Sequence, residues 1–361
     1  MFDISPVLER ANDAVQRNLS GVLNSGQFIH GQQVRTLEQE LSNAFGGAHA
    51  VGAGSGTAAL ELCLRDLGVT EGQDVIVPAN TSLFTAQAVL AAGARIRFAD
   101  VDPRTLQLTA QTAAAAWTER TAAVIGVHLY GNACPVDQLA ELCRERNVAL
   151  VQDACQAHGL RYKGLPLTSF SPYTAYSFYP TKNLGCLGDG GAVVTNSQAI
   201  AKSLRLLGDG GREHDQWARV PAINSRLDEM HAAYLRAFLP HLEYWNGERR
   251  RVAAVYDESL RDVREIAPVG HSGDSVHHLY VIRSTRREEL RSFLSSVEID
   301  TGVHYPHPLH EHPAFAANSS WAAEPAEAMR ASKEIVSLPI GPHVTEDDAR
   351  RVAEQIRRFF L

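Results

Sequence analysis

Short apolar segments alternate with amphipathic ones along the first two thirds of the chain. Apolar residues recur at helical spacing in residues 7–20 and 31–45, so the chain is predicted to begin with two helices. Helical segments at 61–67, 86–92 and 136–146 then alternate with compact apolar segments at 74–78, 95–99, 122–127 and 148–153. Short buried strands separated by helices predict an α/β fold with a mostly parallel sheet covered on both faces.

A long helix is expected after Asp228, through Leu239. It stops near Pro240 or continues past it with a kink, because proline lacks the N–H that a helix interior needs. Three consecutive arginines, Arg249 to Arg251, come soon afterwards. We expect them to lie on a solvated face.

The pattern changes after about residue 246. The segments predicted there are a strand at 278–283, a helix at 287–296 and an amphipathic helix at 347–360. This mixture predicts a smaller α+β domain at 246–361 that follows a large domain at 1–245. At ~100–200 residues per domain, the chain is long enough for two.

The composition is that of an ordinary globular enzyme, with 45% apolar and 21% charged residues. The formal net charge of -7 gives no electrostatic reason to expect binding to nucleic acid or to an anionic membrane. The five cysteines are dispersed without a C-x-x-C pair, which favours free thiols in a reducing compartment. Residues 1–6 do not resemble a signal peptide, and no apolar run is long enough to span a membrane, so a cytoplasmic location is expected.

A glycine-rich stretch at 52–57 precedes a helical segment. Small residues at a helix N-terminus allow a phosphate to approach backbone N–H groups, although a tight strand-to-helix turn explains the same residues. Thr57 stands where the dinucleotide-binding fingerprint needs its third glycine, which disfavours a nicotinamide enzyme.

Asp153 ends a predicted buried strand, which is where open α/β sheets bind their ligands. A carboxylate buried there needs a partner. The alternative interpretation is an N-cap for a helix that begins at Ala154. Gln156 and His158 follow closely and add hydrogen-bonding groups to the same position.

Lys182 lies between a proline-containing segment and a glycine-rich one. A lysine in a desolvated pocket has a lowered pKa and can bond covalently to an aldehyde, whereas an ordinary lysine lies on the surface. A phosphate loop, a strand-end acid and a buried lysine, in this order, are what pyridoxal phosphate requires. The phosphate needs N–H and hydroxyl donors, the ring nitrogen needs an acid, and the aldehyde needs an amine.

The chain resembles the DegT/DnrJ/EryC1/StrS sugar aminotransferases, which are fold-type I pyridoxal-phosphate enzymes. The resemblance covers nearly the whole chain. It is carried by SGTAAL (55–60), VHLYG (127–131), DACQAHG (153–159), residues 177–191, NSRLDE (224–229), GVHYP (302–306) and LPIGPH (338–343).

The resemblance implies a role for each matched residue. It makes Lys182 the lysine that binds the cofactor covalently and moves the proton during transfer. Asp153 then pairs with the ring nitrogen, and Gln156 hydrogen-bonds the ring hydroxyl. The phosphate is bound by the Gly56 and Thr57 amides and by the Thr57 and Ser177 hydroxyls.

The resemblance also implies a homodimer with shared active sites, in which Asn224 reaches the phosphate in the neighbouring subunit. Family members often have a ring-stacking aromatic residue where this chain has Ser82, and the nearest aromatic residue is Phe84.

The substrate side of the site is expected at Tyr179, His304, Tyr305 and His310. His304 and His310, together with His307 and His312, could suggest a metal site, but the intervening prolines break the helix that would align such ligands. No metal is therefore expected.

The resemblance implies transfer of an amino group from an amino acid, expected to be glutamate, to a nucleotide-linked keto sugar. The segments at 304–308 and 337–343 most resemble enzymes that aminate C3 of dTDP-linked 6-deoxyhexoses, which build aminosugars for antibiotics or surface glycans. Amination at C4 is the main alternative. A pyridoxal-phosphate-dependent sugar dehydratase would have histidine in place of Lys182, and a cofactor-binding regulator is the non-catalytic alternative.

Overall fold

The structure is a computed structural model that describes residues 5–213 and 216–361; the expectation about a signal sequence falls partly on residues 1–4, outside this range. The strands are β1 (His49–Ala53), β2 (Asp74–Pro78), β3 (Arg95–Ala99), β4 (Thr121–Val127), β5 (Ala149–Asp153), β6 (Arg161–Tyr162), β7 (Leu165–Pro166), β8 (Thr174–Ser177), β9 (Gly191–Thr195), β10 (Ala267–Pro268), β11 (Tyr280–Arg283), β12 (Ser319–Trp321) and β13 (Ile335–Leu338). The helices are α1 (Ser5–Ser25), α2 (Gln32–Phe45), α3 (Gly56–Asp66), α4 (Leu83–Ala91), α5 (Ala110–Ala116), α6 (Val136–Glu145), α7 (Gln198–Gly208), α8 (Glu229–Phe238), α9 (Leu242–Leu260), α10 (Arg287–Ser296), α11 (Ala326–Glu334) and α12 (Glu346–Phe360).

Eight strands form the main sheet in the order β1-β9-β8-β5-β4-β2-β3-β12. Strand β9 is antiparallel to both of its neighbours, and the other five pairings are parallel. Strands β2, β8 and β9 are almost wholly buried because helices cover both faces of the sheet. The prediction of an α/β fold with a mostly parallel sheet is confirmed.

Two predicted helices differ from the structure. Helix α3 begins five residues earlier than the apolar pattern predicts, because the Ser55 hydroxyl accepts a hydrogen bond from the Ala58 N–H and caps the helix. The long helix after Asp228 is interrupted. Helix α8 ends at Phe238, a short 3₁₀ turn contains Pro240, and α9 continues from Leu242.

The C-terminal part of the chain forms a second, three-stranded sheet in the order β10-β11-β13. Helices α9, α10 and α12 pack with this sheet around one apolar cluster. Helix α9 runs across residue 245, and β12 joins the main sheet, so the two parts of the chain are interleaved. The division at residues 245 and 246 stays a prediction.

The expectation of a solvated arginine face is wrong for Arg249. Its side chain is 3% exposed, and its Nη1 donates to the backbone oxygens of His277 and His278 at 3.2 and 3.3 Å. Helical rotation turns the next two arginines outward, where Arg250 pairs with Glu243.

Across residues 5–213 and 216–361, no helix is long and apolar enough to cross a membrane. In the same ranges, no three His, Cys, Asp or Glu side chains are grouped so that they could hold a metal ion.

Candidate active site

The carboxyl ends of the parallel strands bring the predicted site residues to one edge of the main sheet. Asp153 ends β5, Ser177 ends the neighbouring β8, and Gly56 begins α3 directly after β1. Because β5 and β8 pair in parallel, Asp153 lies beside Ala175, two residues before Ser177. This edge is where doubly wound sheets bind their ligands.

Asp153 is 5% exposed and bonds to two protein donors. The Thr85 hydroxyl donates to Oδ2 at 2.8 Å, and the Cys155 N–H donates to Oδ1 at 3.1 Å. A turn follows Asp153 instead of a helix, so the N-cap interpretation is wrong. The carboxylate therefore ends a buried strand without a cationic hydrogen-bond partner in the described chain, which suits it to bind a protonated nitrogen.

The start of α3 forms a cradle of the size and polarity that a phosphate needs. Gly56 and Thr57 are the first two residues of the helix, so their N–H groups have no acceptor within it. A Cβ at Gly56 would lie 2.6 Å from the Ser177 Cβ and 2.8 Å from the Cys155 Sγ, so glycine is required at this position. The Gly54 N–H donates to the Ser225 hydroxyl at 3.0 Å and fixes the loop.

Lys182 lies in the irregular segment between β8 and β9. Its backbone N–H closes a turn onto the Tyr179 oxygen at 2.9 Å, and its side chain is partly buried. Burial lowers the pKa of the Lys182 ammonium, and the Asp153 charge opposes this shift. The surface interpretation of this lysine is therefore wrong.

Gln156 joins the large sheet to the C-terminal part of the chain. Its Oε1 accepts from the Tyr130 N–H at 2.6 Å, which fixes the orientation of the amide. Its Nε2 then donates to the Tyr305 hydroxyl at 3.1 Å. One N–H of Nε2 remains available for a cofactor oxygen, which is compatible with the role implied for Gln156.

Two of the four residues expected on the substrate side lie in this network. Tyr305 contacts Gln156 and Ser82, and the His304 Nδ1 is 2.9 Å from the Ser337 hydroxyl. Burial and the charge of Lys182 lower the pKa of His304. The Tyr130 hydroxyl donates to the His304 oxygen at 2.5 Å.

His310 was also expected on the substrate side. Its ring packs edge-to-face on Phe98 and Trp321 with centroid distances of 6.3 and 5.5 Å, at the β12 edge of the main sheet. His310 is buried, and its position five residues after Tyr305 in the sequence did not indicate these surroundings.

Three expected residues lie on the surface of the isolated subunit. Tyr179 is 51% exposed and Phe84 is 58% exposed. Asn224 is exposed as well, and its backbone pairs with Asp209. The Ser82 hydroxyl caps α4 by accepting from the Phe84 N–H at 3.5 Å.

Several residues of the site were missed from the sequence. Thr85 lies in no recognised motif, so its contact with Asp153 becomes visible only in the fold. Asn183 directly follows Lys182 in a quoted motif and is 8% exposed. Its position beside the lysine was the available signal.

A family model described as the DegT/DnrJ/EryC1/StrS aminotransferase family matches residues 9–357. The chain belongs to this family. The aminotransferases of this family depend on pyridoxal phosphate, and so does this one.

Relatives and a solved structure match the chain over nearly its whole length. The chain is 40% identical over 360 residues to the dTDP-3-amino-3,4,6-trideoxy-alpha-D-glucose transaminase of Streptomyces venezuelae, covering 99% of this chain and 95% of that protein. It is 36% identical to the "pleiotropic regulatory protein" of Geobacillus stearothermophilus, covering 100% and 98%. The crystal structure of S. venezuelae DesV in complex with a ketimine intermediate superposes with a TM-score of 0.95 at 39% identity, covering 99% and 97%.

The residues present fit pyridoxal phosphate. The α3 cradle has unpaired N–H groups for a phosphate and leaves no room for a side chain at Gly56. Asp153 is a buried anion for the ring nitrogen, and Lys182 is an amine whose neutral form is favoured by burial. When bound, the cofactor supplies a ring that accepts the electron pair released at the reacting carbon.

Proposed function

We propose that this aminotransferase moves an amino group from glutamate to C3 of a dTDP-linked 3-keto-6-deoxyhexose. The observation that carries the proposal is the 40% identity, over 360 residues, to a transaminase named for a 3-amino dTDP-sugar. The resemblance of the segments 304–308 and 337–343 to enzymes that act at C3 supports the same carbon.

Within this proposal, each residue of the site has a physical task. Burial favours the neutral amine of Lys182, which can take a proton from the reacting carbon and return one. Asp153 holds the protonated ring nitrogen by a charge-assisted hydrogen bond. The remaining N–H of Gln156 donates to the ring oxygen, and the N–H groups of Gly56 and Thr57 bind the phosphate with the hydroxyls of Thr57 and Ser177.

The sugar enters on the side of Tyr179, His304 and Tyr305. The Tyr305 phenol stays protonated because burial raises its pKa, so it can donate a hydrogen bond to a sugar oxygen. The proposal leaves His310 out of the site, because its ring is covered by Phe98 and Trp321.

We place the active enzyme in the cytoplasm as a homodimer. Each phosphate site is completed by the partner subunit's Asn224. The exposure of Asn224 in the isolated subunit supports this assembly, because an amide without a side-chain hydrogen bond on its own subunit is available to another.

The experiment supplies purified enzyme with glutamate and either a 3-keto or a 4-keto dTDP-6-deoxyhexose. The position of nitrogen in the product is determined by NMR. Nitrogen at C3 supports the proposal, and exclusive amination at C4 overturns the proposed carbon. Alanine and aspartate replace glutamate in parallel reactions, and a UDP-sugar replaces the dTDP-sugar, so that each partner is tested separately.

A regulatory role is the second candidate, because a 36% identical relative is named a regulatory protein. A regulator need not respond to glutamate, whereas a working transaminase loses its cofactor absorbance band when glutamate is added. Lys182→Ala is the control, because it should remove both this response and turnover. An unchanged absorbance band in the wild-type protein would favour the regulator.

A further inference from the structure

The segment that carries Lys182 has no helix or strand to hold it. Residues 178–190 are tied together by short backbone contacts, such as the hydrogen bond from the Cys186 N–H to the Phe178 oxygen at 2.8 Å. The position of the lysine amine must therefore be set by contacts with other parts of the fold. Asn183 makes such contacts, because all of its side-chain hydrogen bonds cross to distant elements.

The Asn183 amide has a defined orientation. Its Nδ2 lies 2.9 Å from the Val276 backbone oxygen, which can only accept a hydrogen bond, so this atom must be the donor. The same Nδ2 donates to the Asn246 Oδ1 at 2.9 Å, and the Asn246 Nδ2 donates to the His158 oxygen at 2.9 Å. The Asn183 Oδ1 is therefore left as an acceptor.

This orientation determines the tautomer of His278. The Asn183 Oδ1 lies 3.1 Å from the His278 Nδ1, so the proton between them belongs to the histidine. His278 is buried, and burial together with the positive charge of Arg249 lowers its pKa well below the ordinary value. A neutral ring with its proton on Nδ1 leaves Nε2 without a proton.

Arg249 holds the backbone of His278. Its Nη1 donates to the oxygens of His277 and His278, and burial lowers its pKa to about 10, so it stays charged at neutral pH. A fixed positive charge next to His278 makes a second proton on the imidazole costly. The ring therefore stays neutral at neutral pH, and its Nδ1–H donates to the Asn183 Oδ1.

We infer that His278 is a positioning residue for Lys182, and that it acts through Asn183. The imidazole donates to the Asn183 amide and thereby fixes the turn that presents the lysine amine to the cofactor. Because the ring stays neutral, it does this without adding a positive charge beside the amine. The inference rests on the proposed role of Lys182 as the lysine that binds the cofactor.

The test measures the Lys182 amine in the cofactor-free full-length protein. A small amine-reactive acylating reagent is applied across a neutral-to-alkaline pH series, and the labelled Lys182 peptide is quantified by mass spectrometry. His278→Gln removes the donor at the Nδ1 position. The loosened turn then admits water, the amine pKa rises, and labelling at neutral pH falls roughly tenfold for each unit of that rise.

The conservative variant His278→Asn places an amide N–H where Nδ1 was, so it should restore labelling towards the wild-type profile. Asn183→Ala removes the acceptor, so its Lys182 labelling profile should match that of His278→Gln. Both variants test the same hydrogen bond, so the test is still decisive when one of them folds poorly. His271→Asn is the matched control, because that ring pairs with Asp257 instead of Asn183. It should leave the Lys182 profile unchanged.

Equal labelling profiles in His278→Gln and the wild-type protein would overturn the inference. So would equal losses in His278→Gln and His278→Asn, because they would indicate general packing instead of a specific donor. Borohydride reduction of the wild-type holoenzyme, followed by peptide mapping, tests the proposed function separately. Cofactor trapped on another lysine would refute the role of Lys182 whatever the labelling of the variants shows.

Discussion

At the scale of single residues, the ring-nitrogen partner can be tested without disturbing its neighbours. Asp153→Asn keeps the size of the side chain and an acceptor for the Thr85 hydroxyl, but it removes the negative charge. A hydrogen bond to a charged group contributes about 1.5–3 kcal/mol, so cofactor affinity should fall roughly tenfold to a hundredfold. Turnover should fall further, because the ring loses the partner of its protonated nitrogen.

Thr85→Val is the matched control for this prediction. It removes one neutral donor to Asp153 and leaves the charge, so its loss of cofactor affinity should be smaller. Spectroscopic titration of both cofactor-free variants gives the two affinities. If Asp153→Asn bound the cofactor as tightly as Thr85→Val, the carboxylate would not be the ring-nitrogen partner.

Gly56 gives a steric prediction. In Gly56→Ala the new Cβ would meet the Ser177 Cβ at 2.6 Å, so α3 must move away from β8 and the phosphate cradle must widen. A displacement of ~1 Å can reduce a rate ~100-fold, and we expect a turnover loss of that order together with weaker cofactor binding.

Gly21→Ala is the control, because Gly21 lies in helix α1 with nothing within 4 Å of the new methyl group. Alanine is the better helix former, so this variant should be about 0.5–1 kcal/mol more stable and fully active. Thermal melting and turnover are measured for both glycine variants. Wild-type turnover in Gly56→Ala would show that the start of α3 is not the phosphate site.

At the scale of elements, the sequence predicted most reliably where one apolar segment determines one strand or helix. Strands β2 and β3 and helix α10 have the predicted limits. Strands β1, β8 and β9 were not assigned, because their small and polar residues give no clear alternation. They are buried because helices α2, α3 and α7 and their neighbours in the sheet cover them.

The site could likewise be predicted only where its residues lie close together in the sequence. Residues in contiguous motifs, such as Asp153 and Gln156, lie together as expected. The partners that orient them come from distant parts of the chain. Thr85 is 68 residues from Asp153, and His278 is 95 residues from Asn183, and only the topology brings each pair together.

Glu229 links two helices, α8 and α2, so its contribution to stability can be tested at the scale of elements. It begins α8, is 2% exposed, and its carboxylate accepts from the N–H groups of Gln33 and Val34 at 2.7 and 3.0 Å. It thereby caps the first turn of α2 from another helix. Glu229→Ala leaves one buried and one partly buried N–H group unpaired and should cost about 2–5 kcal/mol of the free energy of unfolding.

Glu229→Gln keeps one acceptor and should lose less. Urea denaturation at a fixed protein concentration measures both variants, because an oligomer's stability depends on concentration. Glu265→Ala, on the surface between α9 and β10, is the control and should change little. A loss in Glu229→Ala no larger than in this control would show that the cap contributes nothing.

At the scale of the whole molecule, the isolated subunit leaves several large apolar side chains exposed. Phe84 is 58%, Leu187 is 56% and Trp217 is 70% exposed. We expect the proposed homodimer to bury such side chains at its interface.

Mixing two inactive variants tests whether the active sites are shared. Lys182→Ala removes the amine, and Asn224→Ala removes the proposed phosphate contact. After dissociation and reassociation, about half of the dimers carry one chain of each kind. In those dimers one site combines the intact Lys182 of one subunit with the partner's Asn224. Roughly a quarter of the wild-type activity should therefore return.

The alternative, in which Asn224 acts within its own subunit, gives the opposite result. The mixed dimer would then contain one site without Lys182 and one without Asn224, and mixing would restore nothing. Ser225 makes this alternative concrete, because its hydroxyl already contacts the Gly54 N–H of the same chain beside the cradle. Sedimentation at the assay concentration confirms that dimers formed, so a lack of recovery in a dimeric mixture would refute the shared site.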